Sequence, residues 1–125
     1  MSKHVVLVED ETNIAEAIRF LLGRDGWRVE TLANGGNAAA VIRDARPDLV
    51  MLDVMLPGKT GFEILAELRC DNSLDDMPIL MLTARGQARD REMALKAGVS
   101  RFMTKPFSNE EMLTAVRELT EGRVS

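Results

Sequence analysis

The chain has 125 residues, a formal net charge of −4, and a composition of 46% hydrophobic and 29% charged residues. This length suits one domain around one hydrophobic core, so we expect a single domain over residues 1–125. The acidic balance argues against direct nucleic-acid binding, and the single histidine excludes a multi-histidine metal site. No apolar run could cross a bilayer and no signal segment is recognised, so we expect no membrane partner. The single cysteine cannot form an internal disulfide, which favours a cytoplasmic location.

Short apolar runs alternate with helical patterns along the chain. Residues 5–8, 49–52 and 79–82 are continuous apolar runs, which are typical of strands buried on both faces of a parallel sheet. Residues 29–32 and 101–104 are more polar and predict edge strands.

The segments between these runs have helical spacing and helix-end signals. The first helix is indicated by apolar residues three or four positions apart, namely Ile14, Ile18, Leu21 and Leu22. Thr60 with Glu63, and Ser108 with Glu111, predict capping boxes, and Gly98 predicts a left-handed helix end. Five strand–helix units in strict alternation predict a doubly wound parallel α/β sheet of flavodoxin-like (βα)5 topology, with strand order 2-1-3-4-5.

Polar residues follow the predicted strands, at the sheet edge where open α/β folds bind ligands. They are Glu9 and Asp10 after the first strand, Asp53 after the third, Thr83 after the fourth and Lys105 after the fifth. Clustered carboxylates raise one another's pKa unless a cation lies among them, and Mg²⁺ prefers such oxygen ligands. A carboxylate beside the ion can act as a nucleophile and form an aspartyl phosphate. A lysine and a threonine would then bind phosphoryl oxygens.

Four motifs carry a resemblance that spans nearly the whole chain. They are Val-Glu-Asp-Glu at 8–11, Met-Leu-Asp-Val-Met-Leu-Pro-Gly at 51–58, Leu-Thr-Ala-Arg at 82–85 and Phe-Met-Thr-Lys-Pro-Phe at 102–107. With these motifs the chain resembles the receiver domains of bacterial two-component response regulators. Among them it is most similar to receivers of the winged-helix transcription regulators.

The resemblance implies a role for each residue of the predicted site. Asp53 would be the phosphoacceptor, and Mg²⁺ would be held by Asp10, Asp53 and the backbone carbonyl of Met55. Glu9 would approach the ion more loosely. Thr83 would bind the phosphoryl group.

The resemblance also implies roles at the last strand. Lys105 would pair with Thr83 in binding the phosphoryl group, and the Lys105–Pro106 peptide bond is expected to be cis. Thr83 and Phe102 would form the switch. Tyrosine is frequent at the latter position in the family, so a switch through Phe102 would work by packing alone.

The implied function is phosphorylation-controlled signalling. The phosphoryl donor would be a sensor histidine kinase or a histidine phosphotransfer protein, because the only histidine of the chain is poorly placed to supply one. The phosphorylated domain would signal through its fourth helix, fifth strand and fifth helix to a downstream protein or a detached output domain. Its own chemistry would be limited to self-phosphorylation and slow self-dephosphorylation. Whether the receiver stands alone or belongs to a longer regulator stays open.

Two other functions are compatible with this fold class. Aspartate-nucleophile phosphatases place a second acid two residues after the nucleophile, whereas residue 55 is Met. Flavin-binding electron carriers of the same fold need a Ser/Thr/Gly-rich loop after the first strand, where this chain has Glu-Asp-Glu. Both patterns favour the receiver.

Self-association is expected to be weak. In the family pattern an arginine on helix four meets a glutamate on helix five, and Arg91 and Glu111 occupy these positions. The other charged partners are replaced by Ser100, Arg101 and Ala115. We therefore expect a monomer at rest and at most a weak dimer after activation.

Three further residues have structural interpretations. We expect His4 at the surface, because no partner lies near it in sequence. We expect Cys70 to be a partly buried apolar residue. The helical spacing assigns Met93 to the core-facing side of the fourth helix.

Overall fold

The computed structural model describes residues 3–84 and 88–121, in which strands and helices alternate as predicted. The strands are β1 (Lys3–Val8), β2 (Trp27–Leu32), β3 (Leu49–Asp53), β4 (Ile79–Thr83) and β5 (Arg101–Thr104). The helices are α1 (Thr12–Arg24), α2 (Ala38–Ala45), α3 (Gly61–Arg69), α4 (Ala88–Lys96) and α5 (Asn109–Glu121), and a 3-10 turn spans Asn72–Leu74. Within these ranges no helix is both long and apolar enough to cross a membrane.

All five strands are parallel and lie in the order β2-β1-β3-β4-β5, which confirms the predicted topology. From β1 the chain crosses to β2 at one edge of the sheet, and from β3 it continues through β4 to β5 at the opposite edge. This reversal opens a crevice at the carboxyl ends of β1 and β3, where doubly wound folds bind their ligands.

Alternate residues of the central strands pack into two separate cores, one on each face of the sheet. Val6 and Val8 pack with residues of α2, α3 and α4, whereas Val5 and Leu7 pack with residues of α1 and α5. Fully burying one such aliphatic side chain stabilises a fold by roughly 1.5–3 kcal/mol. The continuous apolar runs therefore reflect burial on both faces.

The predicted helix ends are confirmed in atomic detail. Thr60 Oγ1 accepts from the Glu63 amide at 3.2 Å, and Glu63 Oε1 accepts from the Thr60 amide at 3.2 Å. Ser108 and Glu111 make the same reciprocal pair at 3.0 and 3.4 Å. Gly98 adopts φ +96°, a left-handed conformation that glycine tolerates without strain.

Two expectations about the first strands are wrong. β2 begins at Trp27, two residues earlier than the apolar pattern indicated. His4 is buried, with 9% of its surface exposed, because distant segments surround it. Its amide donates to Asp48 Oδ2 at 2.8 Å, and its Nε2 lies 3.4 Å from Glu30 Oε1.

Two side chains on the helices are more exposed than expected. Cys70 caps the end of α3 and is exposed, since the chain turns away from the core at this point. Met93 is 47% exposed, and Ala94 is the buried residue of α4. The buried face of α4 thus includes Ala94 but does not extend to Met93.

Candidate functional site

The predicted site residues meet at the carboxyl edge of the sheet. Glu9 and Asp10 follow β1, Asp53 ends β3, Thr83 ends β4 and Lys105 follows β5. Three of these polar residues are almost fully buried, with exposed fractions of 2% for Glu9, 3% for Asp53 and 2% for Thr83. Asp10 is exposed. The carboxyl edge therefore combines three buried polar side chains with one exposed carboxylate, that of Asp10.

Lys105 is the cation at the centre of this edge, and 9% of its side chain is exposed. Its Nζ lies 2.7 Å from Glu9 Oε1 and 3.3 Å from Asp53 Oδ2. The Lys105 amide donates to the Thr83 carbonyl at 2.6 Å, and the Lys105–Pro106 bond is cis. Main-chain pairing with the end of β4 thus places the ammonium between two carboxylates.

The carboxylates form a compact cluster. One oxygen each of Glu9, Asp10 and Asp53 lies within 4.8 Å of the others. Burial, together with the neighbouring Asp53, raises the pKa of Glu9 from 4.5 to about 7, although Lys105 opposes this shift. Burial disfavours the charged form of Lys105, but contact with Glu9 and the charge of Asp53 raise its pKa above the ordinary value. One ammonium is therefore shared by two buried acids.

The donor set fits a hard divalent cation. Glu9 Oε1 is buried and, within the part of the chain that the structure describes, accepts no well-directed hydrogen bond, although Lys105 Nζ is close. The Glu9 carboxylate, together with those of Asp10 and Asp53, offers the oxygen ligands that Mg²⁺ prefers. A cation among them would also stabilise the ionised form of Glu9, which burial and the neighbouring Asp53 disfavour.

The other predicted site residues lie around this cluster. Met55 is 63% exposed, and its amide approaches Asp53 Oδ1 at 3.4 Å. Phe102 is partly buried on β5, with the guanidinium of Arg91 6.0 Å from its ring centroid. Arg85, which belongs to a motif used in the sequence analysis, lies outside the described residues.

Two features of the site were not predicted. Glu11 donates its amide to Glu9 Oε2 at 3.1 Å, and its carboxylate lies 3.6 Å from Lys105 Nζ. The position of Glu11 directly after two acidic residues was the sequence feature that could have indicated its place in the site. The loop that carries Met55 is held by residues around Asn34, and the Asn-Gly-Gly sequence there gave only the signal of a turn.

Comparison with known proteins identifies the class. Residues 5–117 match the family described as the response regulator receiver domain. The chain belongs to this family and is a receiver domain of two-component signalling.

Individual relatives agree with this assignment. The chain is 42% identical over 115 residues to the probable transcriptional regulatory protein TcrX of Mycobacterium tuberculosis, covering 92% of this chain and 48% of TcrX. It thus spans about half the length of this curated relative.

Solved structures support the fold. The chemotaxis response regulator CheY4 of Vibrio cholerae has a TM-score of 0.89 at 30% identity, covering 95% of this chain and 99% of CheY4. The BeF₃-activated N-terminal receiver domain of Klebsiella pneumoniae RstA has a TM-score of 0.86 at 30% identity, covering 94% of this chain and 98% of that domain. The predicted flavodoxin-like fold is confirmed by these neighbours.

Proposed function

We propose that Asp53 accepts a phosphoryl group from a phosphohistidine of a sensor histidine kinase or a histidine phosphotransfer protein. The observation that carries this proposal is the environment of the Asp53 carboxylate. It is buried at the carboxyl edge, its Oδ2 lies 3.3 Å from Lys105 Nζ, and an oxygen each of Glu9 and Asp10 lies nearby. The Lys105 ammonium would offset the negative charge of an arriving phosphoryl group, and the neighbouring acids would hold a cation that offsets it further.

The transfer step balances without a further reactant. A carboxylate oxygen of Asp53 attacks phosphorus, the phosphorus–nitrogen bond of the donor breaks, and the imidazole leaves with the electron pair and takes up a proton. Lys105 is placed to neutralise a phosphoryl oxygen, and Thr83 to donate a hydrogen bond to another. Later attack by water on the phosphorus breaks its bond to the Asp53 oxygen, releases inorganic phosphate and restores the carboxylate.

The metal for this step would be Mg²⁺. Asp10 and Asp53 would hold it through their carboxylates, together with the backbone carbonyl of Met55, and Glu9 would approach it more loosely. The bound ion would supply positive charge against the phosphoryl oxygens. Glu9 and Asp53 are both buried acids, so their ionised forms gain most from this charge.

Phosphorylation would be read out at the surface of α4, β5 and α5. New phosphoryl oxygens would draw Thr83 inward, and the space that this movement vacates would be taken by Phe102. Phe102 lines a groove on this surface with Arg91, Arg101 and Glu111. A packing change of the aromatic ring would therefore alter the charged rim of the groove.

The output of the receiver would be protein contact rather than direct nucleic-acid binding. The net charge of −4 opposes binding to a phosphate backbone. The description of TcrX as a transcriptional regulatory protein favours a transcriptional output, delivered by a downstream protein or an output domain. A cytoplasmic location fits such a partner.

Phosphorylation with a small donor tests the proposal. Incubation with Mg²⁺ and acetyl phosphate should add about 80 Da, the mass of one phosphoryl group, as measured by intact mass spectrometry. Asp53→Asn should abolish the addition and keep the fold. Asp44→Asn is the matched control, because Asp44 is an exposed aspartate on α2, and it should label like the wild type. Undiminished labelling of Asp53→Asn would refute the assignment of the phosphoacceptor.

A further inference from the structure

The loop that carries Met55 is in close contact with a neighbouring loop. This β3–α3 loop comprises residues 54–60, and the β2–α2 loop comprises residues 33–37. The Gly35 amide donates to the Pro57 carbonyl at 2.9 Å, which joins the two loops through their main chains.

Glycine is required at the points of contact. A Cβ on Gly35 would lie 2.4 Å from the Lys59 carbonyl oxygen and 2.9 Å from Ile64 Cδ1. A Cβ on Gly58 would lie 2.5 Å from Asn34 Oδ1, and Gly58 has φ +87°. Real Cβ atoms do not approach backbone as closely as a Cβ on Gly35 would, so a side chain there would push the loops apart. A side chain at Gly58 would displace the Asn34 side chain and would strain the backbone at its positive φ.

Asn34 holds its own loop in the conformation that makes this contact. Its Oδ1 accepts from the Gly36 amide at 2.6 Å, which forms a local turn. The same oxygen faces Gly58 across the contact. One asparagine side chain therefore shapes the β2–α2 loop and touches the β3–α3 loop.

The β3–α3 loop has its other fixed points near its ends. Its first residue, Val54, donates its amide to the Leu82 carbonyl at 2.9 Å and accepts from the Gly61 amide at 2.9 Å. Leu56 packs partly against the core. Around Pro57 the carbonyl accepts both from the Lys59 amide of its own loop, at 3.1 Å, and from Gly35, and the second contact ties this stretch to the β2–α2 loop.

We propose that Asn34 and Gly35 are positioning residues for the metal site, acting through the β3–α3 loop on Met55. This inference rests on the proposed function, in which the Met55 carbonyl is a metal ligand. Neither residue touches the reacting groups. They would limit the conformations of Met55 before the ion binds, so that binding would cost less conformational entropy. Partners that orient metal ligands commonly change affinity by an order of magnitude or more.

The test compares loop variants with matched controls in the full chain. Asn34→Ala removes the turn-forming oxygen, and Gly35→Ala forces the loops apart. Asn37→Ala changes an exposed asparagine of the same loop whose side chain makes no capping hydrogen bond. Gly23→Ala adds a methyl group where no described atom lies within 4 Å. Mg²⁺ affinity is measured by calorimetry, and loop order by hydrogen exchange of the amides of Met55, Leu56, Gly58 and Lys59 without metal.

We expect Asn34→Ala and Gly35→Ala to weaken Mg²⁺ binding at least threefold and to speed amide exchange in the β3–α3 loop. The rate of phosphorylation by acetyl phosphate should fall at low Mg²⁺ and recover at saturating Mg²⁺. Asn34→Asp keeps an acceptor oxygen and should restore slow exchange. Both control variants should behave as the wild type.

The outcomes separate this inference from the proposed function. Wild-type protein that neither binds Mg²⁺ nor becomes phosphorylated would overturn both. Wild-type protein that binds and reacts, together with unchanged Mg²⁺ affinity in a folded Asn34→Ala and Gly35→Ala, would overturn the positioning role alone. A loss of rate that saturating Mg²⁺ does not restore would also contradict it.

Discussion

At the scale of single residues, the central feature is one lysine shared by two buried acids. Lys105 Nζ is closer to Glu9, at 2.7 Å, than to Asp53, at 3.3 Å. Glu9 thus competes with Asp53, the proposed phosphoacceptor, for the same positive charge. A second cation would remove this competition and leave Lys105 available to a phosphoryl oxygen.

The raised pKa of Glu9 predicts a pH dependence of the metal-free protein. Because the pKa rises from 4.5 to about 7 on folding, the native state binds the proton more tightly than the unfolded state. The free energy of unfolding should therefore fall as the pH rises from about 4.5 to about 7, by at most a few kcal/mol. Urea denaturation in EDTA at pH 5 and pH 7.5 measures this change.

Glu9→Gln provides the control for this prediction. The neutral amide cannot ionise, so the variant should be more stable than the wild type at pH 7.5 and similar to it at pH 5. Mg²⁺ should reduce the difference, because the ion favours the ionised carboxylate. Equal pH profiles for the two proteins would contradict the burial of a proton-binding carboxyl group at position 9.

At the scale of elements, one arginine joins three segments at the amino edge of the sheet. Arg69, at the end of α3, donates to the carbonyls of Gly98 at 2.9 Å, Leu74 at 2.8 Å and Met77 at 2.9 Å. These carbonyls belong to the turn after α4 and to the segment that leads into β4. The guanidinium fork thus fixes the start of β4 and the end of α4 together.

Removing this guanidinium should destabilise the protein. Arg69→Met keeps much of the side-chain length but loses hydrogen bonds made by a charged donor, which are worth roughly 1.5–3 kcal/mol each in comparable sites. Because the site is partly exposed and water can replace some partners, we expect a total loss of about 2–3 kcal/mol in urea denaturation. Arg69→Lys should recover only part of the lost stability, since an ammonium lacks the forked donor geometry of a guanidinium. Arg89→Met on the exposed surface of α4 should change stability by less than about 0.5 kcal/mol.

The elements also show what the sequence could predict. Continuous apolar runs identified the central strands, because burial on both sheet faces leaves no polar positions, and local cap residues such as Thr60 and Ser108 located helix starts. Met93 was misassigned because the packing of α4 depends on neighbours that a local pattern does not contain. His4 was misassigned for the same reason, since its partner Asp48 lies 44 residues away.

For the candidate site, strand ends were sufficient to bring the main residues together. Parallel topology forces the carboxyl ends of β1, β3, β4 and β5 to one edge, so the acids, Thr83 and Lys105 were predictable as a group. The preference of Lys105 for Glu9 depends on side-chain reach, and the contact between Gly35 and Pro57 depends on how two loops pack. Neither has a signature in sequence spacing.

At the scale of the whole molecule, we expect the charged face of α4, β5 and α5 to govern self-association. Much of its charge is already satisfied within the chain. Arg101 pairs with Glu118 of α5, Glu111 accepts from the Ser108 amide in a capping box, and the Arg91 guanidinium lies over the ring of Phe102. Ala115 is buried, at 4% exposure, so this position offers no charge to a second copy.

These contacts predict a monomer at rest and at most a weak dimer after activation. A second copy would compete with the intramolecular partners of Arg101 and Glu111, while an exposed ion pair between copies contributes only about 0–1 kcal/mol. Sedimentation velocity with and without beryllofluoride, a phosphoryl mimic, measures the association. Asp53→Asn with beryllofluoride is the control, because it lacks the carboxylate that the mimic would occupy. A tight symmetric dimer through α4, β5 and α5 at low micromolar concentration would show that a second copy outcompetes the internal pairs, and the prediction would be wrong.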